Sequence, residues 1–185
     1  MHRSTDELEA GLDHIRAAPT DGGTLELVAR RPAVGEREVL DVAELTVDEG
    51  VVGDTWAVRP STRTTDGTAH PDMQLNVMNA RATALIAGQR ERWPLAGDQL
   101  YVDLDLSVDA LAPWTRLAIG SAVIEITDQP HTGCAKFTQR FGLDAHRFVN
   151  SEAGRSLNLR GVNARVVHAG QIRPGDIITR ETGAN

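Results

Sequence analysis

One cysteine in 185 residues, one lysine, 4% aromatic residues and no long apolar run are the features in shortest supply here. Each scarcity excludes something. A single thiol, Cys134, cannot close an internal disulfide and cannot build a cysteine-rich zinc site. The six histidines are scattered without metal-ligand spacing. No stretch approaches the roughly 18 apolar residues that cross a bilayer, and the polar start of the chain, Met1 to Asp13, is unlike a signal peptide, so the expected setting is the cytoplasm, away from any membrane. Few aromatics and a net charge of -7 do not suit a base-stacking, phosphate-tracking surface, so nucleic acid is not an expected partner. The usual catalytic signatures are missing as well: there is no GxGxxG, no Walker A loop, no GxSxG elbow and no HExxH helix.

What is present is ordinary for a globular chain: 41% hydrophobic and 24% charged residues, a length that supports one core burying about 70% of the unfolded surface. Charge is unevenly spread. Residues 1–54 carry thirteen acidic side chains against five arginines, whereas residues 131–165 carry Lys136, Arg140, Arg147, Arg155, Arg160 and Arg165 against Asp144 and Glu152 alone. The second stretch is suited to attract an anion.

The pattern along the chain opens on a helix. Ser4 with Glu7 three residues on forms a capping box, and Leu8, Leu12 and Ile15 share one face before Pro19 and Gly22-Gly23. This gives residues 1–20 as an N-terminal helix and linker, and 21–185 as a single domain. From Thr24 the period becomes two, with Leu25, Leu27 and Ala29 alternating against Glu26, Val28 and Arg30, and a second strand is expected over 38–47. A recurring turn then opens short β-branched runs: Gly97-Asp98 before Leu100, Gly120-Ser121 before Val123, Gly175-Asp176 before Ile177. Residues 161–168 add another strand. Short strands joined by glycine turns predict a mainly β, α+β domain with a closed or nearly closed barrel, and helices at its periphery over 80–87, capped by Asn79, and over 137–150. Gly53-Asp54 reads either as an acid-bearing loop or, at least as well, as a turn that starts a strand. Residues 59–71, rich in Thr, Pro, Gly and Asp, form a long loop.

The chemistry points to Gln129-Pro130-His131-Thr132-Gly133-Cys134-Ala135-Lys136-Phe137, directly after the strand that ends near Thr127. Gly133 removes a side chain next to the thiol and leaves room for a close approach. With a helix following, Cys134 lies near its N-terminus, where the dipole together with His131, Lys136 and Arg140 favours a thiolate, both a nucleophile and a soft metal ligand. An isolated cysteine is also commonly a small, buried, inert residue, and a structural thiol is the alternative.

These residues give the chain its resemblance to the MOSC family, named for the C-terminal domain of molybdenum cofactor sulfurases. The resemblance is carried by Gly50-Val51-Val52-Gly53-Asp54, by Gln129-Pro130 through Cys134 and Lys136, by Arg140-Phe141-Gly142 and by Gly170 through Gly175-Asp176, in the family's order over residues 25–180. His131 and Gly133 depart from it, standing where many members have Arg and Pro. The resemblance implies a β-barrel whose cysteine, here Cys134, carries sulfur or ligates molybdenum in a pterin cofactor. The basic stretch 131–165 itself suggests a small anionic, phosphate-bearing ligand beside the loop, with His131, Gly133, Lys136, Arg140 and, next to the open space at Gly161, Arg160 as its contacts; the resemblance implies in addition a sulfur donor or partner enzyme. The pyridoxal phosphate of the larger sulfurases belongs to a separate domain, so covalent pyridoxal phosphate is not expected. Two readings stay open: a protein that turns over sulfur-transfer or molybdenum-dependent chemistry, and a non-catalytic module that carries the cofactor to a partner.

Overall fold

The computed structural model describes residues 2–181. The chain begins as foreseen: the Ser4 hydroxyl accepts from the Glu7 amide while the Glu7 carboxylate accepts from the Ser4 amide, opening α1, Thr5–Ala10. Gly11 breaks it from α2, Leu12–Arg16. The first strand, β1, Gly23–Arg30, does not keep simple alternation. Glu26 is an extra residue against β6, Leu100–Asp103, because Leu25 pairs with Val102 and Leu27 with Tyr101. This bulge turns Val28, not Leu27, toward the same side as Leu25 and sends Leu27 and Ala29 to the opposite face, where they also find apolar neighbours. Both faces of the strand are therefore buried. The stretch 38–47 likewise splits into β2, Glu38–Leu40, and β3, Ala43–Thr46, which enter different sheets.

Seven strands close the barrel. Besides β1 and β6 they are β5, Leu75–Asn79; β7, Arg116–Ile119; β8, Ala122–Ile126; β9, Val162–His168; and β11, Ile177–Arg180. They run in the order β11-β7-β8-β9-β5-β6-β1, and β1 closes the ring on β11 through Gly23↔Ile178 and Thr24↔Ile177. The β5–β6 pair is parallel; the other barrel pairings are antiparallel. Strand β2 extends β1 outside the ring, and β3 joins β4, Gly50–Val51, and β10, Gly170–Ile172, in a small second sheet.

Leu25, Val28, Val77, Leu100, Ile124, Ile126 and Ile178 fill the interior, while Leu27, Met78 and Tyr101 point outward under a helical layer. That layer consists of α1, α2, α3 (Ala80–Ala87) and α4 (Ala135–Asn150), with Leu8, Ile86, Phe137 and Phe141 as its anchors. The parallel β5–β6 pair requires a crossover, and α3 with the 3-10 turn 90–96 supplies it. Among the described residues no helix is long and apolar enough to cross a membrane.

Asn79 is the hinge between strand and crossover. Its Oδ1 accepts from the Ala82 amide at 2.9 Å, and its Nδ2 donates to the Leu104 carbonyl at 2.8 Å in the buried interior. Asn79→Ala is expected to cost about 2–3 kcal/mol, a cap worth about 1 plus a buried carbonyl left without its donor. Denaturant unfolding checks it; a loss under about 0.5 kcal/mol, within the range of ordinary surface substitutions, would contradict the role. Arg81, beside it, grips Asp103 at 2.7 and 3.1 Å and reaches the His14 carbonyl, tying α2 to the barrel.

Candidate functional site

Cys134 is exposed, at the N-cap of α4, with no capping bond from its side chain. The segment before it is clamped by its own helix. Gly142 inside α4 has φ 90° and ψ 169°, which breaks the helix after one short half and folds the second half back. The returning half brings Asn150 and His146 to the loop: the Gly133 amide donates to Asn150 Oδ1 at 3.2 Å, and His146 Nε2 meets the Gly133 carbonyl at 3.2 Å. A Cβ on Gly133 would stand 2.8 Å from Asn150 Nδ2 and 3.0 Å from Val149 Cγ2. The missing side chain at Gly133 thus serves close packing inside the chain, where the sequence suggested room for a ligand.

Beneath the loop lies a buried ion pair. Arg160 Nη1 donates to both oxygens of Asp98 at 2.9 and 2.7 Å, Nη2 donates to the Ala96 carbonyl at 3.0 Å, and the guanidinium lies 5.0 Å from the Phe137 ring. The Asp98 side chain is 0% exposed and that of Arg160 8%. Burial pushes the Asp98 carboxyl above its ordinary range, against the pull of Arg160. The phosphate contact expected of Arg160 is therefore not where this guanidinium is spent: it holds Asp98 and, through Phe137, the start of α4.

His131 stands on the same pair, Nδ1 3.6 Å from Asp98 Oδ1, too long for a hydrogen bond, and that nitrogen is buried without a partner. Burial, then Arg160 and Arg31, holds its imidazole well below the ordinary histidine value of 6.5. The native chain keeps it neutral while the unfolded chain takes up a proton below about 6.5. The stabilisation from this site is therefore complete above that value and is lost as the pH falls below it toward the depressed native value. Thermal unfolding from pH 8 to 5 should show the decline, and His131→Gln should flatten it; identical slopes would contradict the assignment.

The open cavity beside His131 comes mainly from residues that the sequence patterns did not single out. It measures about 340 Å³ and is lined by Arg31, Trp56, Arg59, Arg63, His70 and His131 among others. Its geometry starts at Gly53-Asp54, which does not begin a strand. Asp54 caps the 3-10 turn Thr55–Val58 through the Trp56 amide at 2.8 Å, and it accepts from the Arg31 amide, Nε and Nη2 at 2.8, 3.0 and 2.8 Å. The long loop that follows carries Arg59 and Arg63 to the rim. A smaller recess of about 90 Å³ adjoins, lined by Arg31, Arg37, Arg59 and Lys136.

Among the described residues no carboxylate pairs with Arg37, Arg59, Arg63, Lys136 or Arg140. Arg140 is tied to the Leu95 carbonyl at 2.6 Å. Burial and the nearness of Arg31 lower the guanidinium of Arg59, and burial with Arg140 and Arg31 lowers that of Arg37. Cations crowded this way favour an anion among them. The basic stretch 131–165 is dispersed instead: Arg165 binds Glu125 and Asp72 on the barrel, and Arg155 turns to the Asn150 carbonyl. Only Lys136 from that stretch lines the recess, and only His131 the cavity. The nearest signal in sequence was the loop over 59–71, long for a compact domain and bearing two arginines.

No group of three or more metal-ligating His, Cys, Asp or Glu side chains gathers anywhere among the described residues. No family model matches the chain, and no curated protein matches it in sequence. Its fold is similar to that of the YuaD protein from Bacillus subtilis, at 13% identity and a TM-score of 0.61 over 88% of this chain and 97% of that one. It is similar also to YiiM from Escherichia coli, at 18% identity and a TM-score of 0.55 over 88% and 71% of the two chains. A third structure, described as a hypothetical protein, gives 18% identity and a TM-score of 0.59 over 88% and 69%. At these identities the likeness is one of fold.

Proposed function

We propose that this barrel is a stand-alone MOSC-type protein in which Cys134 carries sulfur or ligates the molybdenum of a pterin cofactor, and in which the arginine-lined cavity beside the cysteine loop holds the anionic end of that ligand. The observation that carries the reading is the bracketing of an exposed thiol by two residues that line basic hollows, His131 in the larger and Lys136 in the smaller.

The residues suit such a cofactor on two counts. The chain offers one thiol, and among the described residues no three His, Cys, Asp or Glu side chains gather to cage a bare ion, which suits a metal that arrives with its other ligands attached. It also offers several guanidinium groups without carboxylates, of which Arg59 and Arg63 are placed to take phosphate oxygens. When bound, the cofactor supplies redox chemistry at its metal. The protein's own contribution is to hold the phosphate with Arg59 and Arg63, to fix the loop through Asn150 and His146, and to keep a neutral imidazole at the cavity wall. For sulfur transfer, the Cys134 thiolate attacks the outer sulfur of a persulfide donor. The donor's S–S bond breaks, its thiolate leaves, and Cys134 holds the transferred sulfur as a persulfide, with no net oxidation.

Alkylation of the native protein tests whether thiol and cavity form one site. Cys134 should react without unfolding, inorganic phosphate should slow the reaction, and Arg59→Ala should weaken phosphate binding by roughly 1–3 kcal/mol, the worth of a hydrogen bond to a charged group, while leaving thermal stability in place. Phosphate that binds tightly yet leaves the alkylation rate unchanged would separate the two and sink the reading.

A further inference from the structure

The larger cavity and the smaller recess are not independent. Arg31 and Arg59 line both. Each hollow then adds donors of its own. In the larger one His70 accepts the Asp72 amide at Nδ1, 3.2 Å, so its proton sits on Nε2 and is free to be donated, and Arg63 holds only a long contact of 3.5 Å to Gln129. In the recess the additional cations are Lys136 and Arg37, whose Nε and Nη1 donate to the Pro94 and Glu36 carbonyls and leave Nη2 for an anion. Arg31 is fixed by Asp54 through Nε and Nη2, but its Nη1 makes only long contacts, 3.5 Å to Asn76 and 3.4 Å to the Gly97 carbonyl, and so remains available at the junction.

Size separates the two hollows. The recess, at about 90 Å³, has room for a tetrahedral anionic group, and the larger hollow, at about 340 Å³, has room for such a group together with more of a ligand beside Trp56. A single phosphate would leave one set of cations uncompensated. Burial and mutual repulsion already disfavour the charge on Arg37 and Arg59.

Resting on the reading of the cavity as a phosphate site, we propose that its ligand carries two linked anionic groups of the diphosphate class, one seated with Arg63 and His70 and the other with Arg37 and Lys136, the guanidinium groups of Arg31 and Arg59 between them. Lys136 is two residues from Cys134, so the second anionic group lies on the cysteine side of the site. A diphosphate ester bound there would be held at both ends, which fixes its position along the groove as one contact cannot.

Calorimetric titration of the full chain with inorganic phosphate and with inorganic pyrophosphate tests this. Pyrophosphate should bind at least about tenfold more tightly, a difference of roughly 1.4 kcal/mol. In Lys136→Gln, an exposed position where the change leaves the fold alone, and in Arg37→Ala/Lys136→Gln, the ratio should fall to about threefold or less while phosphate affinity changes little. Arg16→Gln/Arg173→Gln removes two cations that line neither hollow and should keep the full ratio. A ratio that drops equally in that control reflects net charge alone and overturns the inference. Pyrophosphate binding no better than phosphate overturns it too, while leaving the larger cavity as a phosphate site. If neither anion binds, the reading of the cavity falls with it.

Discussion

Asp98→Ala is expected to cost about 3–5 kcal/mol, enough to unfold a large share of a domain of ordinary stability. The carboxylate is fully enclosed and accepts both short bonds from Arg160. Without it the guanidinium keeps one carbonyl contact, to Ala96, and its Nε is already without a partner. Arg160→Ala should also be damaging, because the enclosed Asp98 carboxyl loses its donors and, already raised by burial, is driven toward its protonated form. The sharper test is the pair replaced together, Asp98→Leu with Arg160→Met, which removes both charges and keeps apolar volume. Buried ion pairs exchanged in this way are often neutral or better, so the double variant should recover most of the stability lost by either single one. Chemical denaturation of the wild type, Asp98→Leu, Arg160→Met and the double variant gives the coupling directly, and additive losses would show that the two side chains do not act as a unit. The same pair supports the functional loop, Arg160 over Phe137 and Asp98 beside His131. A folded single variant should therefore also show an altered Cys134 alkylation rate.

That result bears on what the sequence can and cannot convey. Caps and turns are local, and they were legible: Ser4 with Glu7, Asn79 before α3 and the glycine turns before β6, β8 and β11 all lie within a few residues of the element they start. Enough such signals in order also pointed to a barrel. The Asp98–Arg160 pair joins positions 62 apart, and nothing near either residue marks it, so Arg160 looked like a free cation beside a glycine. The β1 bulge was hidden for a different reason. Both faces of that strand are covered, and a run of apolar residues reads as simple alternation whether or not one residue is extra. The basic site lay outside the reach of composition as well, because Arg31 and Arg37 come from the acid-rich start of the chain and meet the Arg59 loop through contacts such as Arg31 with Asp54, 23 positions apart. At Gly142 the residue itself was noticed as part of a motif. Its role in folding α4 back, so that Asn150 and His146 grip Gly133, depends on a backbone conformation that the motif does not state.

Cys134→Ser is expected to have the opposite profile from Asp98→Ala: no loss of stability and complete loss of function. The thiol is exposed and caps nothing, whereas serine is a favoured N-cap residue, so stability should hold or rise by up to about 1 kcal/mol. A serine hydroxyl stays protonated near neutrality and is a hard donor. It neither attacks a sulfane sulfur nor replaces a thiolate on a soft metal centre. Both versions of the proposed chemistry therefore depend on this one sulfur atom. The most direct measurement is made on the wild-type and Cys134→Ser proteins, purified gently from the native host and compared by molybdenum analysis and intact mass. The wild-type protein should carry either molybdenum or one additional sulfur, and the serine variant, equally folded, should carry neither. Equal molybdenum content in both proteins, with no added sulfur on the wild type, would contradict the role of Cys134.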